Sequence, residues 1–175
     1  MKKFLLLCSI AISSAIYAQE FEITQEGILE KGTNKDFVII KSDGKSAKEL
    51  YNSTVKHIGK INGKVLEDEK YEHLKWQVYV PKITYVEELL TKNYIDAYIT
   101  IQLSFKDNRA KYEITATNFK CPNNGKNLVI RATGMTDPSY FIYRRNGNLV
   151  ETRAKSDIED FFKRDIKSIL EQDNW

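Results

Sequence analysis

Tyrosine is the residue type with which this sequence could most readily build a binding surface. The 175-residue chain contains ten tyrosines, and several alternate with Thr and Gln or lie beside arginine. Tyrosine combines a large contact area with a polar hydroxyl, which suits recognition, although strands also favour tyrosine for packing alone. We predict binding residues at Tyr94, Tyr98, Thr100, Gln102, Tyr143 and Arg144.

Signals for catalysis and metal binding are weak. His57 and His73 lie in different predicted elements without the spacing of a zinc motif, and both are expected to be partly exposed. Cys121 precedes a proline in a loop, not at a helix N-terminus that would lower its pKa. The segment Gly59–Lys64 is one residue short of a phosphate-binding loop and lacks its Ser or Thr. We predict no catalytic residue, no metal and no cofactor.

The N-terminal residues 1–18 have the pattern of a signal peptide. Lys2 and Lys3 precede a short apolar run, and Ala18 is a small residue suited to cleavage before Gln19. The run is much shorter than the roughly 20 residues that a membrane-spanning helix needs. We therefore predict export to the periplasm or the extracellular space, with no transmembrane segment after cleavage. Lipid attachment at Cys8 is disfavoured, because the residue before it is leucine.

Charge and cysteine content exclude two further classes of protein. The chain has 27 Lys and Arg against 24 Asp and Glu, but two of the lysines lie in the signal peptide. The remaining 25 basic and 24 acidic residues leave +1, and the lysines are interspersed with acidic residues. A nucleic-acid partner would require a concentrated basic surface, so none is predicted. After cleavage Cys121 is the sole cysteine, so the chain is not a disulfide scaffold.

Two segments carry the pattern that starts a helix. Ser46–Glu49 and Ser156–Glu159 each place Ser at the N-cap and Glu three residues later, as in a capping box. An apolar residue recurs every three or four positions behind each box, which predicts amphipathic helices. The stripe of the second helix comprises Ile158, Phe161, Phe162, Ile166, Ile169 and Leu170.

Between these helices the apolar period changes to two, which predicts strands. The longest alternation runs from Ile95 to Phe105 and is followed by a return strand bearing Tyr112, Ile114 and Ala116. Asn146-Gly147 predicts a type I′ turn between strands at 140–145 and 148–153. Residues 83–92 are ambiguous between a short helix and a strand. Further strands are predicted at Phe37–Ile40, Leu74–Val80 (ended by Pro81) and Leu128–Ala132.

An antiparallel sheet with both helices on one face is the simplest arrangement that buries these stripes. The predicted class is therefore α+β, mainly antiparallel, with two helices packed on one face of the sheet. We predict a signal peptide at residues 1–18, a loosely attached N-terminal arm at 19–36 and a single domain at 37–175.

The region from Ser46 to Phe119 resembles a bacterial family of exported domains of unknown function, described as having a fold like that of the TATA-binding protein. The resemblance rests on Leu50-Tyr51, on Tyr98–Leu103 and on the turn Lys106–Arg109, followed by Tyr112 and Ile114. Asn108 stands where glycine is common, and asparagine tolerates a left-handed turn position.

The resemblance covers under half of the chain and implies a TBP-like fold and an envelope location, but no activity. It does not imply DNA binding, because function depends on sites and not on folds. The sequence favours a non-enzymatic envelope protein that binds an unknown envelope protein or a small ligand through an exposed sheet face. The alternatives are a small hydrolase using carboxylates with His57 or His73, and a structural subunit assembled through Cys121 or Trp175.

Overall fold

A computed structural model of the chain describes residues 20–134 and 139–171. The predicted signal peptide, residues 1–18, and Trp175 lie outside these ranges. The elements follow in the order β1 (Phe21–Ile23), β2 (Ile28–Glu30), β3 (Phe37–Lys41), α1 (Ala47–Lys60), β4 (Lys64–Glu69), β5 (His73–Glu88), β6 (Thr91–Lys106), β7 (Arg109–Lys120), β8 (Leu128–Arg131), β9 (Tyr140–Tyr143) and α2 (Thr152–Leu170).

The central layer is an antiparallel sheet with the strand order β3-β7-β6-β5-β4, and both helices pack on one face of it. Strand β6 shows why the helices cover that face, because Ile95, Ile99 and Leu103 point toward them and are fully buried. Side chains at alternate positions point to the other side of the sheet. The predicted α+β class, with two helices on one face of an antiparallel sheet, is confirmed.

Strand β5 continues through Pro81, where we expected it to end. Its pairing with β6 is interrupted after Val80 and resumes at Thr84. Proline has no N–H to donate to a neighbouring strand, so a bulge is one of the few places in a sheet that tolerates it. The ambiguous residues 83–92 are strand on both sides of a two-residue turn.

Residues 20–36 of the predicted N-terminal arm are attached more tightly than we expected. Strands β1 and β2 form a hairpin, and Phe21 and Ile23 are buried, with the Phe21 ring against Phe162 of α2. The Ile23 N–H donates to the Glu159 carboxylate at 2.7 Å. Strands of three residues are too short to show a periodic pattern, which is why the sequence did not predict this hairpin.

Helix α2 begins at Thr152, four residues before the capping box that we predicted at Ser156–Glu159. The N-cap residue is Glu151, whose side chain makes no capping hydrogen bond. The second capping box is therefore wrong, because Glu159 bonds to β1 instead. The predicted apolar stripe does face the core, with its fully buried members at Ile158, Phe162, Ile166 and Ile169.

The predicted hairpin around Asn146-Gly147 is only partly formed. Strand β9 pairs in parallel with β8, and the residues after the turn form an isolated bridge from Leu149 to Tyr143 before α2 begins. Gly147 has a positive φ of 88°, whereas Asn146 does not. A type I′ turn needs positive φ at both central residues, so the predicted turn type is wrong. The turn is closed by the Gly147 N–H, which donates to the Arg144 carbonyl at 2.9 Å.

A buried polar network joins both helices to the sheet. The Asp165 carboxylate of α2 accepts a hydrogen bond from the Tyr112 hydroxyl of β7 at 2.7 Å. Its other oxygen lies 2.7 Å from His57 Nε2 of α1, and His57 Nδ1 lies 3.0 Å from Ser168 Oγ. His57 is buried, so our expectation of a partly exposed side chain is wrong. Directional bonds from two elements to one buried carboxylate set the position of α2 against the sheet.

Helix α1 begins at the predicted capping box. The Ser46 hydroxyl accepts from the Glu49 N–H at 3.3 Å, and the Glu49 carboxylate accepts from the Ser46 N–H at 2.7 Å. These bonds satisfy backbone donors that the first turn of a helix leaves unpaired.

We expect Ser46→Ala to lower the free energy of unfolding by about 1 kcal/mol, because it removes an N-cap acceptor. Ser156→Ala is the matched control and should change stability by less than about 0.5 kcal/mol, because Ser156 is inside α2 and caps nothing. Urea denaturation of residues 19–175 measures both values. Equal losses in the two variants would contradict the assignment of the caps.

We expect Tyr112→Phe to lower the free energy of unfolding by about 1–3 kcal/mol at neutral pH, because the buried Asp165 carboxylate loses a donor. Burial, reinforced by the Asp165 charge and hydrogen bond, raises the pKa of the Tyr112 phenol well above its usual value. Phenols of the unfolded chain ionise near pH 10, so this contribution is complete below that pH and is lost as the pH rises above it.

The Tyr112→Phe variant should therefore lose less stability than the wild type between about pH 9 and pH 11. The control is Tyr98→Phe, which removes a hydroxyl on the exposed face and should change the free energy of unfolding at neutral pH by less than about 0.5 kcal/mol. Parallel stability curves for Tyr112→Phe and the wild type would show that Tyr112 does not titrate on unfolding. Denaturant unfolding at a series of pH values supplies both curves.

Candidate functional site

The face of the β5–β6 ladder opposite the helices carries four tyrosines, and the Asp96 carboxylate lies among them. We call this surface the tyrosine face and define it by Tyr79, Tyr85, Tyr94, Asp96 and Tyr98. The strand register pairs Tyr79 with Tyr98 and Tyr85 with Tyr94, so the tyrosines form two cross-strand pairs. Directly opposed residues in an antiparallel pair have side chains within contact distance.

The Tyr79–Tyr98 pair makes the closer ring contact of the two. The rings of Tyr79 and Tyr98 lie 5.0 Å apart between centroids, with an angle of 36° between their planes. Tyr79 is 47% exposed and Tyr98 is 46% exposed. The Tyr79 hydroxyl donates to Asp96 Oδ2 at 2.6 Å, and Asp96 Oδ1 accepts from the Lys82 N–H at 2.9 Å. The Tyr79 ring is thus held by a carboxylate that the β5 bulge itself positions, and the Tyr98 ring packs against it.

The hydrogen bond to Asp96, followed by partial burial and the Asp96 charge, raises the pKa of the Tyr79 phenol. The phenol is therefore a neutral donor throughout the physiological range.

The second pair is surrounded by cations. The rings of Tyr85 and Tyr94 are 5.9 Å apart. The Lys92 ammonium lies 4.6 Å from the Tyr85 ring centroid, the Arg153 guanidinium 4.8 Å from the same centroid, and the Lys82 ammonium 5.2 Å from that of Tyr94. Cations over aromatic faces are attracted by the ring quadrupole, and this pair therefore presents both aromatic and positive groups.

The structure separates the six predicted binding residues into three groups. Tyr94 and Tyr98 are exposed on the tyrosine face, and Gln102 lies farther along the same face of β6, partly buried. Thr100 shares their side of the strand but is buried, beside the β7 bulge where Thr115 Oγ1 donates to the Thr100 carbonyl at 3.3 Å.

Tyr143 and Arg144 do not belong to the tyrosine face. Tyr143 is a core residue of β9, and its hydroxyl donates to the Ile23 carbonyl at 2.8 Å. Arg144 is exposed in the turn after β9, on a different sheet. Tyr143 and Thr100 are therefore not accessible to a partner, contrary to our expectation of exposed binding residues.

Sequence reasoning missed Tyr79, Tyr85 and Asp96. The alternation from Leu74 to Val80 does place Tyr79 on the polar side of its strand, so the signal was present. Its pairing with Tyr98 depends on the register between β5 and β6 across the interruption at Pro81. Because we expected the strand to end at Pro81, the register could not be counted from the hairpin turn back to Tyr79.

The Ser168–His57–Asp165 connectivity resembles that of a hydrolase triad, but its surroundings do not suit nucleophilic catalysis. His57 is buried with both ring nitrogens hydrogen-bonded, so it has no open access to a leaving group. Ser168 lies in the last turn of α2, where N–H groups are used within the helix and the helix dipole disfavours a developing oxyanion. We interpret this network as the attachment of the helices.

The cluster around His73 is not a metal site, and Cys121 is not a reactive thiol. His73 lies 3.2 Å from Glu67 and 3.9 Å from Glu69 on the surface. Among residues 20–134 and 139–171, no group of three His, Cys, Asp or Glu side chains could hold a metal ion. Cys121 is fully buried. Neither described helix is long and apolar enough to cross a membrane.

Comparison with known proteins shows similarity at the level of the fold. No family model matches the chain, and no curated protein matches it by sequence. A DUF4468 family protein from Bacteroides ovatus superposes with a TM-score of 0.52 and 11% identity, over 77% of this chain and 84% of that one. A TBP-like protein from Parabacteroides distasonis superposes with a TM-score of 0.51 and 12% identity, over 77% and 91% respectively. These bacterial structures confirm the resemblance to a TBP-like domain of unknown function and establish the fold.

Proposed function

We propose that this chain is an exported protein of a bacterial cell envelope that binds a partner protein through the tyrosine face, without catalysing a reaction. Export is supported by the signal-peptide pattern of residues 1–18. The bacterial setting is supported by the two structures of similar fold.

The Tyr79–Tyr98 pair is the observation that carries this proposal. Both rings are about half exposed, yet the Tyr79 hydroxyl is fixed by Asp96 at 2.6 Å and the rings contact each other. Aromatic side chains that are already ordered lose little conformational entropy when a partner covers them. Tyrosine is also among the residue types that contribute most to binding at protein interfaces.

A protein partner fits this surface better than a small ligand. Small-molecule sites are concave and bury most of the ligand, whereas these tyrosines project from one side of a sheet. Asp96 supplies a carboxylate beside the rings, and Gln102 adds an amide farther along the same face of β6. An aromatic centre with polar neighbours is the usual composition of a protein interface.

We expect the double variant Tyr79→Ala/Tyr98→Ala to lose partner binding by about tenfold or more, as for residues at the centre of an interface. The measurement is recovery of each cross-linked envelope protein by mass spectrometry, with the folded chain of residues 19–175 as bait. The thermal midpoint of the variant should stay close to that of the wild type, because both rings are half exposed.

Arg144→Ala is the matched control, since Arg144 is an exposed residue of the turn after β9 and should leave recovery unchanged. If the double variant folds normally and recovers the same proteins in the same amounts as the wild type, the tyrosine face is not the binding surface. If Arg144→Ala instead abolishes recovery, the surface beside β9 is the interface.

A further inference from the structure

The turn between β5 and β6 presents two leucines to solvent. Leu89 is 94% exposed and Leu90 is 103% exposed, so neither side chain packs on the protein. Single exposed leucines are common on protein surfaces, but two consecutive and fully exposed ones at the end of a hairpin with strands of 16 residues each are not explained by folding.

The backbone of this turn makes the choice of leucine more unusual. Leu89 has φ of 49° and Leu90 has φ of 66°. A two-residue turn with positive φ at both positions favours Asn-Gly or Asp-Gly, and bulky side chains rarely adopt this conformation. The two leucines therefore oppose the local backbone preference, and backbone outliers of this kind are often found at functional sites.

The strand ends behind the turn are held rigidly. The Glu88 carboxylate accepts from the Lys126 ammonium at 3.0 Å and from the Tyr140 hydroxyl at 2.8 Å. Thr84 Oγ1 donates to the Asp157 carboxylate of α2 at 2.8 Å. Only the two turn residues extend beyond these attachments, so the leucines are presented at a fixed end of the molecule.

Aromatic rings and cations surround the base of this end. Lys92 and Arg153 lie over the Tyr85 ring, and Lys126 lies 4.8 Å from the Tyr140 ring centroid. Lys126 balances the charge of Glu88, and the hydrogen bonds from Lys126 and Tyr140 lower the pKa of its carboxyl. Tyrosine and lysine side chains bury their apolar parts while their polar ends stay in water, and both are enriched where proteins meet the headgroup region of a bilayer.

We propose that the Leu89-Leu90 turn inserts into the surface of a lipid bilayer, with the tyrosine and lysine side chains behind it at the headgroup level. A lipid surface fits two protruding leucines because it accepts apolar side chains without a shaped pocket. Acidic groups offset the nearby cations, since Glu87 lies opposite Lys92 in the strand register and near Glu151. Insertion of the leucines, not attraction to anionic headgroups, is therefore the main source of affinity. This proposal does not depend on the partner-binding function of the tyrosine face.

The test is co-sedimentation of the folded chain, residues 19–175, with vesicles of phosphatidylcholine and with vesicles that also contain phosphatidylglycerol. We expect the wild type to bind both kinds of vesicle. Leu89→Asn/Leu90→Gly should reduce binding by roughly tenfold or more, because the apolar area of two leucines is lost. That variant introduces the residues that the turn prefers, so its thermal midpoint should be equal to or higher than that of the wild type.

Leu149→Asn is the control, because Leu149 is an exposed leucine outside this hairpin, and its vesicle binding should be unchanged. The variant Tyr79→Ala/Tyr98→Ala should also bind vesicles, which separates this proposal from the function of the tyrosine face. A second measurement is the fluorescence of Leu90→Trp, whose emission should shift to shorter wavelength when vesicles are added.

Absence of wild-type binding to either vesicle would overturn the proposal. So would unchanged binding of Leu89→Asn/Leu90→Gly, or binding that requires phosphatidylglycerol and does not respond to the leucines. If the leucine variant loses a cross-linked envelope protein while vesicle binding is absent throughout, the turn inserts into a protein and the lipid proposal is wrong.

Discussion

The Asp165 carboxylate is buried between the helices and the sheet, and its two oxygens are hydrogen-bonded by side chains from two different elements. Tyr112 reaches it from β7 and His57 from α1. Displacement of α2 along the sheet would leave a buried carboxyl group without partners, which is strongly unfavourable. Apolar contacts alone permit small shifts, whereas these bonds are directional. Because both helices are held on one face in this way, the other face of the β5–β6 ladder is open to solvent.

The β5–β6 hairpin carries both surfaces to which we assign binding. The bulge at Pro81 separates the Tyr79–Tyr98 pair from the Tyr85–Tyr94 pair. A bulge bends a strand and increases its local twist, so the two pairs lie on differently oriented parts of one ladder. The part before the bulge also pairs with β4 and β7, whereas in the part beyond it β5 and β6 pair with each other and are held by Thr84, Glu88 and their partners. One hairpin therefore supports a lateral surface and an end with different environments.

The sequence predicted the features that depend on neighbouring residues. The alternation in β6, the capping box at Ser46 and the left-handed turn at Asn108, whose φ is 65°, follow from local periodicity and backbone preference. Features that depend on contacts between distant residues were missed or misassigned. His57 is buried because Asp165, 108 positions away, satisfies it, and Glu159 has the spacing of a capping box but bonds to β1. In the candidate site, the exposed face of β6 could be predicted from its alternation. The position of Tyr79 beside Tyr98 could not, because it depends on the strand register across Pro81.

Cys121 is the one thiol that follows the predicted signal peptide, and the fold encloses it completely. A thiol reagent can reach it only when the surrounding strands separate, because a buried sulfur has no contact with solvent in the native state. Under conditions in which alkylation is faster than reclosure, the labelling rate reports how often the interior opens. The labelling rate of Cys121 can therefore be used to measure how often the native protein opens. In an oxidising compartment, oxidation of this thiol would be confined to molecules that have already opened.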